Sequence, residues 1–170
     1  ICMPCGKVQA MLGWKMPPMF SREAVALSFA FKGLTSDSNK ALYKELVHER
    51  KAVVGVNGGL LDKIDGGMAV LMVEGRLTDE PADLARIVQD SFYAYLEHGI
   101  NDVEMEDARQ EELAAYHNVF NRWDLVQDAL VDAEIQGDWQ WAFARKVLVE
   151  NVTYEEMMAA ARSWLTPDSQ

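Results

Sequence analysis

A change of hydrophobic period inside one short stretch constrains this 170-residue chain more than any other feature. Leu42, Tyr43, Leu46 and Val47 recur at helical spacing. From Val53 to Leu61 the pattern turns into a short β-branched run. Asp62-Lys63-Ile64-Asp65-Gly66-Gly67 supplies turn chemistry, and Met68 to Val73 is a second apolar run. The economical reading is a helix, Lys40 to Ala52, that runs directly into an antiparallel hairpin. Met68 to Val73 is apolar almost throughout, so its strand belongs in a sheet with at least one face covered by helices.

The flanking sequence fits around that unit. Lys7 to Lys15 reads as a strand, stopped by Met16-Pro17-Pro18. Ser21 is placed to cap a helix that is apolar nearly all round from Ala24 to Phe31, the mark of a buried helix. Gly33 and the cluster Thr35 to Asn39 break it, and Ser38 or Asn39 is placed to cap the next. Pro81 suits the first turn of a helix running to His98, with a stripe of Leu84, Ile87, Val88, Phe92, Tyr95 and Leu96 and with Gly99 as its C′ residue. Val103 to Gln136 is a long charged helical stretch with a break near Asn121 to Asp124. Gly137-Asp138 interrupts it, and another helix spans Trp139 to Val149. Thr153 and Glu156 form a capping box for a last helix reaching Trp164. Strand, helices, hairpin and more helices predict one α+β domain over residues 1–170, with helices against one face of a largely antiparallel sheet.

The net charge of −11 argues against a nucleic-acid partner, which needs cations to neutralise phosphates, and against an anionic membrane surface. No apolar run is long enough to cross a bilayer. The expected setting is soluble, cytoplasmic or periplasmic. Cys2 and Cys5 form a single C-x-x-C. A redox pair gains its low thiol pKa where a strand meets a helix N-terminus, and here Pro4, Gly6 and strand-like sequence surround it. Two thiols also leave a four-ligand zinc site incomplete. An incidental pair is the preferred reading, with a small redox protein as the alternative.

The three histidines are His48, His98 and His117. His48-Glu49 opens like His-Glu-x-x-His, but Ala52 stands at the closing position. Glu97-His98 closes like the inverted His-x-x-Glu-His, but Ala94 stands at the opening one. Holding zinc this way needs two imidazoles a turn apart on one helix face, so no metal ligands are assigned. His98 beside Gly99 suits a helix C-terminus. Gly58-Gly59 and Gly66-Gly67 are read as turn or bulge glycines rather than a phosphate cradle. Glu104 to Asp107 with Glu111-Glu112 is read as a solvated helical face. Trp123, Trp139, Trp141 and Trp164 are read as core or interface anchors.

Several segments in order resemble the insulinase/pitrilysin-type zinc metallopeptidases, which include the mitochondrial processing peptidases. They are Val8 to Trp14 with Pro17; Leu42-Tyr43-Lys44-Glu45-Leu46-Val47 followed by Ala52; Gly66-Gly67-Met68 into an apolar strand; His98-Gly99-Ile100 through Glu104 and Ala108; and Val152 to Glu156 leading to Ala160, Arg162, Trp164, Leu165, Thr166 and Pro167. The resemblance implies a LuxS/MPP-like metallohydrolase fold, incomplete at its N-terminus, in a family whose domains face one another around a closed chamber. It implies that zinc sits in a homologous catalytic domain or subunit, not in this chain, which would enclose peptide substrates and be inactive alone. Active relatives place on the partner domain an Arg on the helix and a Tyr seven residues later on the strand. The corresponding positions here are Val47 and Val54, which can neither donate a hydrogen bond nor carry charge. Arg50 and Asn57 share that spacing, but a slip of three residues rotates them off the helix face. A proteolytically inactive assembly protein of the same fold is the alternative within the family.

Overall fold

The computed structural model describes residues 7–35, 40–99 and 101–169. Cys2 and Cys5, and the cap candidates Ser38 and Asn39, lie outside the described residues.

The three strands are β1 (Val8–Met16), which alternates loosely, β2 (Gly55–Leu61) and the largely apolar β3 (Gly67–Gly75). They form one antiparallel sheet in the order β1-β3-β2. β1 runs against β3 from Val8 opposite Gly75 to Met16 opposite Gly67, and β2 against β3 from Gly55 opposite Glu74 to Leu61 opposite Met68. Gly66, at φ +128, makes the hairpin turn that the glycine pair predicts.

The helices are α1 (Arg22–Thr35), α2 (Ala41–Tyr43), α3 (Pro81–His98), α4 (Asp102–Phe120), α5 (Trp123–Ile135), α6 (Trp141–Asn151) and α7 (Tyr154–Trp164), with a final 3-10 turn at Pro167–Ser169. α1 and α3 lie on one face of the sheet; α4, α6 and α7 pack over α1, and α5 touches only the outer side of α4 and α6 among its principal contacts. The sheet backed by helices on one face is the architecture the sequence predicts. The break before Trp123, the turn at Gly137 and the capping box of Thr153 with Glu156 fall where the sequence puts them.

α1 is buried nearly all round, as its composition requires: Val25, Leu27, Phe29, Phe31 and Leu34 are in the core. Ser21 Oγ accepts from Ala24 N at 3.0 Å. Gly33 does not end the helix, which continues to Thr35. The centre of the core is Trp14 of β1, stacked on Phe92 of α3 at 4.7 Å and edge-on to Phe31 of α1 at 6.2 Å. Its indole N–H donates to Tyr93 Oη at 3.0 Å, so the buried donor is satisfied. Arg109 of α4 ties down the end of α6, donating to the carbonyls of Val149, Glu150 and Val152.

Two local expectations change. The helix before the hairpin does not run to Ala52. After α2 it widens into a π-helical segment, Lys44–Glu49, whose bonds Arg50 N to Glu45 O (2.8 Å) and Ala52 N to Leu46 O (2.8 Å) spread the last turn while Leu46 stays buried. Lys51, at φ 49, then turns the chain into β2, which starts at Gly55 rather than Val53. Gly58 is neither turn nor bulge. It faces α1, where a Cβ would collide with the Thr35 side chain, so it is the close approach of helix to strand that needs glycine there.

Candidate functional site

The uncovered face of the sheet is the most distinctive surface of the molecule. Strand alternation sends Gln9, Met11, Gly13 and Lys15 of β1, Met68, Val70, Met72 and Glu74 of β3, and Gly55, Asn57, Gly59 and Leu61 of β2 to that side. They align in rows across the strands: Gln9-Glu74-Gly55, Met11-Met72-Asn57, Gly13-Val70-Gly59 and Lys15-Met68-Leu61. Met11 is 66% exposed, Met68 46% and Met72 45%, although all three belong to the strands that carry the core.

The row Gly13-Val70-Gly59 has no side chain at either end. It forms the floor of a shallow trough whose walls, the two methionine rows, stand about 14 Å apart at strand spacing. A Cβ at Gly59 would meet nothing within 4 Å, and one at Gly13 would press on Met68 Sδ at 3.2 Å. Met68 therefore lies partly over the trough. Thioether side chains are flexible and polarisable, so they can repack against apolar groups of different shape.

Beyond the Met11-Met72-Asn57 wall, on the side of Glu74, lies a separate cavity of about 490 Å³ lined by Gln9, Tyr43, Gly55, Val56, Asn57, Met72 and Glu74. Glu74 is ion-paired to Lys7, which holds its carboxyl below the usual carboxylate range, and Gln9 Nε2 donates to its other oxygen at 3.5 Å. The cavity thus offers an anion, an amide and a phenol at the margin of an apolar surface.

Val47 and Val54 are not among the residues that line this cavity. Val47 is half-buried in the π-helical segment and packs on the core. Val54 is exposed just before β2, and its N–H donates to Glu74 O at 2.7 Å. Arg50 and Asn57 are not brought together. The Arg50 guanidinium turns to Glu45 Oε1 (2.9 Å) and Ser91 Oγ (2.9 Å) of α3, whereas Asn57 lines the cavity. Burial, reinforced by Glu45, pushes the neighbouring Tyr95 hydroxyl up to about 12.

The histidines sit apart on three helical segments: His48 against the Tyr43 ring, His98 with Nδ1 2.7 Å from Ala94 O, and His117 against the Tyr116 ring. Among the described residues no group of three or more His, Cys, Asp or Glu side chains is placed to hold a metal ion.

Sequence reasoning missed two features. One is the trough itself; its signal was methionine at positions 11, 68 and 72 facing glycines at 13 and 59. The other is Glu112, read as part of a solvated face. It is instead held between Lys32 Nζ and Arg145, whose Nη2 is 2.8 Å away. Burial acts to raise its pKa, but the two cations prevail and bring it to about 2. Its neighbours do pair at the surface, Glu106 with Arg109 and Glu111 with the buried Lys40.

No family model matches the sequence, and no curated protein matches it. Solved structures do. A candidate zinc protease from Bordetella pertussis Tohama I superposes with a TM-score of 0.88 at 23% identity, over 98% of this chain and 92% of that one. The inactive peptidase domain of a candidate zinc protease from Bordetella parapertussis gives 0.85 at 21%, over 99% and 93%. An M16 peptidase inactive domain from Pseudomonas fluorescens gives 0.75 at 19%, over 98% of this chain and 40% of that one. The chain has the α+β fold of M16-type inactive peptidase domains.

Proposed function

We propose that this chain is a non-catalytic domain of an insulinase/pitrilysin-type zinc metallopeptidase, forming part of the wall that encloses a peptide substrate. The observation that carries the reading is the superposition on an inactive peptidase domain over 99% of this chain at a TM-score of 0.85. The trough supports it. A flat apolar strip floored by glycines, with methionine walls and a polar cavity beyond one of them, suits unfolded peptide of varied sequence. Val47 and Val54 are the substrate-contact positions in this reading. They offer apolar contact and backbone where active relatives offer charge and a phenol. Zinc would belong to a homologous catalytic domain, where it activates the attacking water.

The test is reconstitution. This chain alone, with zinc and an unstructured peptide, is expected to show no cleavage. Added to a homologous domain that carries His-x-x-Glu-His, it raises cleavage, and Met11→Lys with Met72→Lys weakens that effect through KM. Metal-dependent cleavage by the purified chain would overturn the reading.

A further inference from the structure

Most exposed large apolar side chains fall in two places. One is the trough. The other is the outer helical layer, where Trp123, Val131, Ile135, Trp139, Phe143 and Val147 are all exposed. α5 buries only Ala133, and Trp123 and Ile135 are 76% and 75% exposed. At 100° per residue, Asp124, Asp128 and Asp132 form one line along the outward side of α5, with Val131 and Ile135 beside it. After the turn at Gly137 an aromatic ladder continues the surface. Trp139 and Phe143 are 6.3 Å apart, Phe143 and Phe120 5.2 Å, and Phe120 stacks on Tyr116 at 4.2 Å.

The charge on this surface selects what can cover it. Residues 123–140 contain Asp124, Asp128, Asp132, Glu134 and Asp138 and no basic residue, so they hold five of the chain's net −11. Among the described ion pairs Asp124 is matched by Arg122, and Asp128, Asp132 and Glu134 are in none. Like charges four residues apart destabilise a helix, so the row carries a cost that external cations would relieve. A second copy would set acid against acid, and an anionic bilayer would be repelled.

We infer that the outward face of α5, with the ladder at its end, docks a basic amphipathic helix of a protein partner. Asp124 to Asp132 spans about 12 Å, so the partner's matching bases recur every fourth residue, with aliphatic side chains between them to meet Val131 and Ile135. This surface belongs to the helical layer over α4 and α6 and not to the sheet, and the inference stands apart from the proposed substrate role.

The probe is a labelled synthetic helix of about 18 residues with Lys at every fourth position and Leu between, titrated into the full chain at near-physiological salt. Binding is expected, and a Glu-for-Lys version of the peptide does not bind. Asp128→Lys with Asp132→Lys, and separately Val131→Ser with Ile135→Ser, each weaken binding by about tenfold or more. Asp90→Lys with Asp107→Lys, which changes net charge equally at exposed sites elsewhere, leaves it within about twofold. Failure of the native chain to bind, equal loss in both charge variants, or a dimer in sedimentation that the α5 changes abolish would each overturn the inference.

Discussion

Arg22 and Glu156 form a two-pronged ion pair, Nε to Oε1 at 2.7 Å and Nη2 to Oε2 at 2.8 Å, joining the start of α1 to the start of α7. The same guanidinium donates to Asn151 O at 2.7 Å. Glu156 also accepts from Thr153 N at 2.8 Å, completing the capping box. The hydrogen bond from Arg22, then that from the Thr153 backbone, holds its carboxyl at about 2. One side chain thus caps α7 and fixes it to α1. Glu156→Gln keeps an acceptor for Thr153 but loses the charge; Glu156→Ala loses both. Thermal melting is expected to show a small fall for the first and a larger one, about 3 °C or more, for the second. Equal falls would show that the cap contributes nothing here.

Glu112 sets the acid limit of the helical layer. Its carboxyl titrates at about 2 in the fold against an ordinary 4.5, because Arg145 and Lys32 outweigh the burial that would raise it. The folded state therefore resists protonation. The stabilisation is fully present above the ordinary value and is lost as pH falls from there towards 2, with an upper size of about 3 kcal/mol. Urea unfolding over that range is expected to show a steep decline in the native chain. Glu112→Gln flattens the decline and costs about 2 kcal/mol at neutral pH, since it leaves two cations facing a neutral amide.

Local chemistry was legible in the sequence wherever the physics is local. Ser21, Pro81, and Thr153 with Glu156 act within one helical turn, and each is found at the helix end it predicts. The apolar α1 could only be a buried helix. What failed depends on distant neighbours. Lys32 and Arg145 reach Glu112 from positions 80 and 33 residues away, and no pattern around 112 announces them. Methionine looks alike in core and trough: Met157 is buried and Met72 exposed. Only the pleat decides, by sending Met68 and Met72 to one side and Ala69, Leu71 and Val73 to the other. The π-helical ending of the Leu42 helix likewise reflects tertiary demand, since keeping Leu46 in the core and starting β2 in register needs a wider last turn.

The adjacent glycines Gly58 and Gly59 separate packing from surface effects. A Cβ at 58 would overlap Thr35 Oγ1 and Cβ and sit 3.0 Å from Phe31 Cε1; one at 59 would stand in open space. Gly58→Ala is expected to cost about 2 kcal/mol or more by forcing α1 off the sheet, and Gly59→Ala to change stability by less than about 0.5 kcal/mol. Denaturant midpoints of the two variants check this. A tolerated Gly58→Ala would mean that α1 sits less tightly on β2 than these contacts require.

Methionine oxidation reports directly on the trough. Dilute peroxide reaches a thioether at a rate that follows its exposure. Met11, Met68 and Met72 face outward, whereas Met16, Met19, Met105, Met157 and Met158 are buried. Among the methionines of the described residues, peptide mapping after brief treatment is expected to find sulfoxide first at positions 11, 68 and 72, with the buried five modified only once the chain unfolds. Because those three side chains leave the core undisturbed, the oxidised protein keeps its melting temperature. In the proposed assembly the same three slow down when a catalytic domain and a slowly cleaved peptide are added, while the remaining sites keep their rates. Uniform oxidation of these eight methionines of the described residues would show that the sheet face is not the open surface described, and undiminished oxidation of the three in a cleaving complex would place the substrate elsewhere.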